Sequence, residues 1–233
     1  MANNAYHSLL ASLPHLDSLF DCKQLPISRF QLDQRLSALG FSERALLNEI
    51  EQQMEWGNEA PARPEQNSTA QEFDLIQHAH SLINRVNSPD LAALLNWRLD
   101  VRTVVAALRK RMRGEKAPGY SRWSFGSRRE FIRRNWNAPY FNLEHRFLWL
   151  PDVAKALEQG HSFEAEKLLL AAVWQHLSAE AAKQRFSFEA VVIYVLRWNV
   201  LQRWTSYNHE QAIVRFDQLV EQALGQYAAA LPE

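Results

Sequence analysis

The sequence predicts an all-α fold in which antiparallel helical hairpins form a multi-helix bundle or bundles. The chain of 233 residues is 47% hydrophobic and contains only 7 glycines, so residues that form turns are scarce. Leu, Ala, Gln and Arg favour helices over strands. Apolar residues also recur at helical spacing along much of the chain, which indicates amphipathic helices.

The N-terminal part is predicted to contain a helical hairpin and then a loop. Segment 5–13 has a mixed period and fits either a short helix or a strand. Ser28 is a candidate N-cap for the next helix, and Gly40 is expected to follow its last turn in a left-handed conformation. Ser42 begins another helix, and the proline-containing run 57–69 reads as a loop. The residues predicted to face inward from this hairpin are Phe30, Leu32, Leu36, Leu39, Leu46, Leu47, Ile50 and Met54.

A long central helix is predicted after a helix over 70–86. Ser88 can cap it, and Pro89 suits the first helical position because the N–H that proline lacks has no partner there. The helix should run to Arg113 and end at Gly114, a length of about 37 Å at 1.5 Å per residue. Its apolar stripe comprises Leu94, Val101, Val105 and Leu108.

The C-terminal half is predicted to continue as helices joined by short turns. A loop over 115–127 leads to Ser127 and Glu130, whose spacing is typical of a capping box that starts a short helix, and 137–141 interrupts that helix. The helices expected next are 143–159, 162–177, 188–206 and 209–229, with Gly160 as a C-terminus and Ser162, Ser187 and Asn208 as caps. The chain therefore reads as one all-helical unit, 1–233, or as two sub-bundles, about 1–114 and 115–233, joined by the loop 115–127.

Charge is unevenly distributed although the formal net charge is zero. Residues 1–88 contain 6 Lys+Arg and 11 Asp+Glu, a charge of −5, whereas residues 98–134 contain 12 and 3, a charge of +9. The middle of the chain is therefore a candidate for binding an acidic partner. The alternative is that this basic stretch pairs with the acidic ends of the same chain.

Catalytic, cofactor and metal signatures are weak or missing in the sequence. No glycine-rich phosphate-binding loop occurs. Asp74 and His78 share a helix face, but His80 points elsewhere and no cluster completes a metal site. Cys22 lies in an acidic stretch that raises the pKa of its thiol, and it excludes an internal disulfide because it is the single cysteine. We therefore expect a protein that is not an enzyme, with no catalytic residues, cofactor or metal.

Partner-binding residues are predicted in the basic stretch. Arg98, Arg102 and Arg109 form a stripe on the long helix that faces a partner or solvent. The segment 121–140 alternates aromatic residues with arginines, a pattern suited to a protein interface, to nucleic-acid bases or to core packing. The residues predicted to bind a partner are Arg98, Arg102, Arg109, Arg113, Trp123, Arg128 and Arg129.

Two segments resemble a known family. Leu99–Met112 (LDVRTVVAALRKRM) resembles a helix of the C/d subunits of archaeal- and vacuolar-type rotary ATPases, with Asp100 and Arg109 at the positions of its acid and arginine and Thr103 in place of its Asn. The segment 188–220 and the opening AYHSLLASLPHL resemble a bacterial family of uncharacterised proteins that are encoded beside V-type ATPase subunits.

The resemblance implies a mechanical function. A C/d subunit is an all-helical funnel that lies on the membrane rotor ring and receives the central stalk, so this chain would be a non-catalytic stalk component in proton or sodium transport. Its partners would be the stalk and ring subunits, with no membrane span of its own, and it would be cytoplasmic and peripheral to the cytoplasmic face of the membrane. The alternative function is a helical nucleic-acid-binding protein that uses 121–140.

Overall fold

The computed structural model describes residues 2–55, 69–119 and 123–207, and the all-α prediction is confirmed because these ranges contain helices and no strand. The elements are α1 (Ala2–Ser12), α2 (Arg29–Leu36), α3 (Phe41–Met54), α4 (Thr69–Arg85), α5 (Pro89–Met112), α6 (Arg129–Arg134), a 3-10 helix (Pro139–Asn142), α7 (Leu150–Glu158), α8 (Ser162–Ala181) and α9 (188–207). No helix in the described ranges is long and apolar enough to cross a membrane. The predicted loop over 57–69 lies almost entirely outside the described residues, and so do Asn208 and the helix 209–229.

The N-terminal hairpin forms with one correction to its turn. Ser28 caps α2 as predicted, since its side chain accepts a hydrogen bond from Gln31 N at 3.3 Å. Gly40, however, has φ −61° and precedes α3, where its N–H donates to Glu43 Oε2 at 3.2 Å. The expected left-handed residue is therefore wrong, because α2 already ends at Leu36. Phe30 is 78% exposed and does not belong to the inner face.

The long helix α5 has the predicted ends. Ser88 accepts a hydrogen bond from Leu91 N at 3.4 Å, and Pro89 is the first helical residue. Gly114 follows the helix with φ +75°, a conformation that glycine adopts without the steric cost of a Cβ. The 24 residues of α5 span about 36 Å.

Two hydrophobic core clusters lie along α5. The first is built from α1 to α4, the N-terminal part of α5, the C-terminal part of α8, and α9, and Trp198 is fully buried in it. The second is built from the C-terminal part of α5, α6, the 3-10 helix, α7 and the start of α8, with Phe141 and Leu150 fully buried. α5 therefore connects both clusters, while the division into sub-bundles stays a prediction.

The region between α6 and α8 differs from the predicted helices. Residues 143–149 form turns, and α7 begins only at Leu150. Pro151 explains this, since a helix running from 143 would place a residue without an N–H in its interior. Gly160 ends α7 with φ +74° as predicted, but Ser162 does not cap α8, whose N-cap residue is His161 without a side-chain bond.

Candidate functional site

A buried polar cluster lies where the segment 123–128 packs on α5. Asp100 is 7% exposed and Thr103 is completely buried, although both belong to a helix that is otherwise mostly apolar on this side. Their partners include Ser124, Gly126 and Ser127, which lie 21 to 27 residues further along the chain. We call these five residues, together with Arg128, the docked-loop cluster.

Asp100 receives hydrogen bonds from two consecutive residues of the loop. Ser127 Oγ lies 3.1 Å from both carboxylate oxygens, and the Arg128 N–H donates to Asp100 Oδ1 at 3.1 Å. The Arg128 guanidinium adds an ion pair, with Nε 3.7 Å from Oδ2. Burial raises the pKa of Asp100, and these donors and the nearby positive charge act in the opposite direction.

Ser127 therefore corrects the predicted capping box. α6 begins at Arg129 with no side-chain cap bond, because the hydroxyl of Ser127 is directed to Asp100. The carboxylate of Glu130 instead bonds Arg133 and Arg134. The capping-box pattern depends only on residues close in sequence, whereas the Ser127 hydroxyl bonds the buried carboxylate of Asp100 on α5, which is a stronger acceptor.

Thr103 connects the loop to the backbone of α5. Its Oγ1 lies 2.9 Å from Leu99 O and 2.9 Å from Ser124 Oγ, and it accepts a hydrogen bond from Gly126 N at 2.7 Å. Because a threonine hydroxyl carries a single proton, donation to Leu99 O makes Ser124 the donor to Thr103. The Thr103 hydroxyl therefore donates one hydrogen bond and accepts two, all within the protein.

Gly126 is required by space at this contact. A Cβ at this position would lie 2.5 Å from Asp100 Oδ1, 2.6 Å from Thr103 Oγ1 and 2.9 Å from Asp100 Cα. The last of these atoms belongs to the backbone of a helix, which cannot move aside cheaply. Glycine therefore allows the loop to approach α5 closely.

Arg102 joins the same loop to α3. Its Nη1 donates to Gln53 O at 2.8 Å, and its guanidinium lies 4.4 Å from the ring centroid of Phe125. Arg98 lines a small cavity of about 30 Å³ together with Met54 and Trp97. Arg102 and Arg98 are 7% and 6% exposed, so the expectation that they face solvent or a partner is corrected. Arg102 is buried between α3 and the loop, and Arg98 is buried among α3, α5, α8 and α9.

The remaining predicted partner-binding residues are more accessible. Arg109 is half-buried, whereas Arg113 is exposed and pairs with Glu115 Oε1 at 2.7 Å. Arg128 has a side chain that is 37% exposed beside Asp100. Arg129 donates from Nη1 to Gly126 O at 3.2 Å. These four residues thus surround the docked loop and the C-terminal end of α5.

The aromatic residues of 121–140 lie mainly against the second core. Trp136 is 5% exposed and forms an edge contact with Trp123, with ring centroids 6.4 Å apart. Trp136 Nε1 donates to Glu115 O at 3.2 Å. Among the aromatic residues of this segment that the structure describes, Phe131 is the exposed one, with 41% of its surface accessible to solvent. This geometry favours core packing over base stacking for these aromatic residues.

Ion pairs within the basic stretch are local. Each of its three acidic residues has a cationic partner in the same stretch: Asp100 with Arg128, Glu115 with Lys110 and Arg113, and Glu130 with Arg133 and Arg134. In the acidic N-terminal part, Asp33 and Glu51 likewise pair with Arg29. These ion pairs therefore lie within the basic stretch, and Arg98 and Arg102 carry part of its positive charge into the interior.

His78 and Cys22 have structural contacts. His78 Nε2 lies 3.1 Å from Glu49 Oε1, and no group of three or more metal-ligating side chains occurs among the described residues. Cys22 is 2% exposed, and burial, followed by Asp17, raises the pKa of its thiol in the predicted direction. The docked-loop cluster likewise orders a loop, since each of its described polar contacts joins one part of the chain to another.

Sequence reasoning missed Ser124, Gly126 and the contact to Gln53. The run Ser124-Phe125-Gly126-Ser127 carries the available signal, because small residues around one aromatic residue suit close packing of a loop on a helix. Its partners on α5 are more than 20 residues away, and no local pattern identifies them.

Comparison with known proteins assigns the chain to one family. A family model described as "Protein of unknown function (DUF2764)" matches residues 64–224, more than half of the chain. The chain belongs to the DUF2764 family. No curated protein and no solved structure matches it significantly. The DUF2764 match includes α4 to α9 and the whole docked-loop cluster, whereas α1 to α3 precede it.

Proposed function

We propose that this DUF2764 protein is a non-catalytic helical adaptor, a C/d-like component of a V/A-type rotary ATPase. In this function it couples the central stalk to the membrane rotor ring during proton or sodium transport, at the cytoplasmic face of the membrane. Its partners are stalk and ring subunits, and it needs no cofactor for this mechanical work.

The observation that carries the proposal concerns α5. This helix contains Leu99–Met112, the segment that resembles the C/d helix, and like α8 it contributes to both hydrophobic clusters. A helix of about 36 Å that is buried in two cores moves as one body with both of them. Such a body is suited to carrying force from one partner to another.

The docked-loop cluster supports the same function. Asp100 and Thr103, two positions within the resembling segment, fasten the loop 123–128 to α5 through buried hydrogen bonds. Such buried hydrogen bonds resist displacement, because moving Asp100 or Thr103 away from the loop leaves polar groups without partners in a low-dielectric interior. The cluster would therefore keep the basic surface around Arg113 and Arg128 in a fixed position relative to α5.

Purification of the tagged, full-length protein from its native host tests the proposal. Membranes are solubilised in a mild detergent, and co-purified proteins are identified by mass spectrometry. We expect stalk and rotor-ring subunits of a rotary ATPase in stoichiometric amounts.

An Arg113→Glu variant should recover less of these subunits, because its exposed side chain lies on the basic surface that would meet an acidic partner. Lys183→Glu is the matched control, since its side chain is 63% exposed just after the end of α8, pairs with a nearby glutamate as Arg113 does, and undergoes the same charge change. Recovery of nucleic acid, with binding that falls steeply as salt rises, would replace the proposal with the alternative function.

A further inference from the structure

An open polar groove lies between α4 and the start of α6. It is lined by Gln77, His80, Ser81, Asn84, Arg85 and Arg129, and its volume is about 570 Å³. The five residues from α4 have the spacing of one helix face. The opposite face of α4 carries Ile76, Ala79 and Leu82, which are buried. Packing of this apolar face turns the polar face of α4 toward the groove.

The lining of the groove is rich in donors and positively charged. Every lining side chain can donate hydrogen bonds, two of them are guanidiniums, and none is a carboxylate. An arginine presents five N–H groups in a planar fork, and the described hydrogen bond of Arg129 uses Nη1 on Gly126 O. A groove of this volume and charge is suited to an anionic group.

The edge of the groove already binds a carboxylate of the chain. Glu49 on α3 forms an ion pair with Arg85, and its Oε1 also lies 3.1 Å from His78 Nε2. Glu130, the acidic residue next to Arg129 in sequence, is taken by Arg133 and Arg134. The pair of Arg85 with Glu49 thus shows that one side chain of the groove binds a carboxylate.

We infer that this groove binds an acidic protein segment through Asp or Glu carboxylates, with Arg129 and Asn84 contacting the segment from opposite walls. Identification of the segment as part of a rotary ATPase subunit rests on the proposed function, whereas the binding site itself does not. The groove lies within the DUF2764 match and extends the predicted partner surface from Arg129 onto α4.

Fluorescence anisotropy of a fluorescein-labelled octaglutamate peptide, titrated with the full-length protein at low salt, tests the inference. Arg129→Glu should weaken binding about tenfold, because an attraction is lost and a repulsion is gained. Asn84→Glu, a change at an exposed position, should weaken it about threefold or more by repulsion alone.

Arg134→Glu is the matched control. It lies on the same short helix with a side chain that is 71% exposed, it is not part of the groove, and it changes the charge by the same amount. We expect less than a twofold effect from it. Equal weakening by Arg129→Glu and Arg134→Glu, or unchanged binding by Asn84→Glu, would overturn the inference. Tighter binding of an octathymidylate strand than of octaglutamate at the same site would overturn it as well.

The inference and the proposed function fail in different ways. If rotary ATPase subunits co-purify equally with the wild type and with Asn84→Glu, the proposed function stands and the groove is not its binding site. If octaglutamate binding depends on Asn84 and Arg129 while no such subunit is recovered, the groove stands and the rotary ATPase assignment fails.

Discussion

Replacing Gly126 by alanine tests whether the loop 123–128 is fastened to α5 as described. The added Cβ would lie 2.5 Å from Asp100 Oδ1 and 2.9 Å from Asp100 Cα. The carboxylate can rotate, but the backbone of α5 cannot yield without disturbing both hydrophobic clusters. The loop must therefore shift outward, and the hydrogen bond from Gly126 N to Thr103 Oγ1, now 2.7 Å, must lengthen or break.

The expected loss of stability follows from these two effects. Overpacking in a filled interior costs about 1–3 kcal/mol. Loss of a buried hydrogen bond adds about 1 kcal/mol. The free energy of unfolding should therefore fall by about 2–4 kcal/mol, and each kcal/mol lowers the melting temperature of a chain of this size by about 2–4 °C.

Urea unfolding, followed by tryptophan fluorescence and by circular dichroism, measures this change. Gly119→Ala is the matched control, since a Cβ there meets nothing within 4 Å, and it should change the free energy of unfolding by less than about 0.5 kcal/mol. If Gly126→Ala is as stable as this control, the loop does not approach α5 as closely as the structure indicates, and the argument for a rigid docked-loop cluster is wrong.

Three further substitutions test the buried polar groups. Burial raises the pKa of Asp100 above its ordinary value of 3.8, so the folded chain keeps a proton at pH values where the unfolded chain has lost it. The free energy of unfolding should therefore fall as the pH rises from about 3.8 to the higher pKa of the folded chain. Asp100→Asn should remove this slope in urea titrations at a series of pH values, and an unchanged slope would exclude Asp100 as its source. His176 stacks on Trp97 with ring centroids 3.7 Å apart, and burial lowers the pKa of His176. The wild type should thus lose stability as the pH falls below the ordinary value of 6.5, whereas His176→Phe should not. Trp198 is fully buried and donates a hydrogen bond from Nε1 to Ile27 O at 3.0 Å. Trp198→Phe should therefore lower the free energy of unfolding by about 2–4 kcal/mol in the same urea assay. A loss below about 0.5 kcal/mol would contradict this.

The elements that the sequence predicted correctly depend on neighbouring residues. The cap at Ser28, the start of α5 at Ser88-Pro89 and the left-handed Gly114 each involve contacts within one or two turns of the chain. The apolar stripe of α5 is also local, since it requires only a helical period. Such features are readable because the partner groups are fixed by sequence spacing.

The errors lie where a distant partner competes with the local pattern. Ser127 has capping-box spacing, but Asp100 holds its hydroxyl. Arg98 and Arg102 have the spacing of an exposed stripe, but neighbouring elements cover them, and the Gln53 carbonyl accepts a hydrogen bond from Arg102.

By itself, the sequence determined that this chain is helical, where α5 begins and ends, and that positive charge is concentrated in its middle. The tertiary structure alone decided which of those charges lie inside, that a loop without helical structure is fastened to α5, and that Arg129 lies across a groove from α4. The physical reason is that caps and amphipathic periods are properties of adjacent residues, whereas burial and the pairing of a buried carboxylate depend on which surfaces meet when the helices pack.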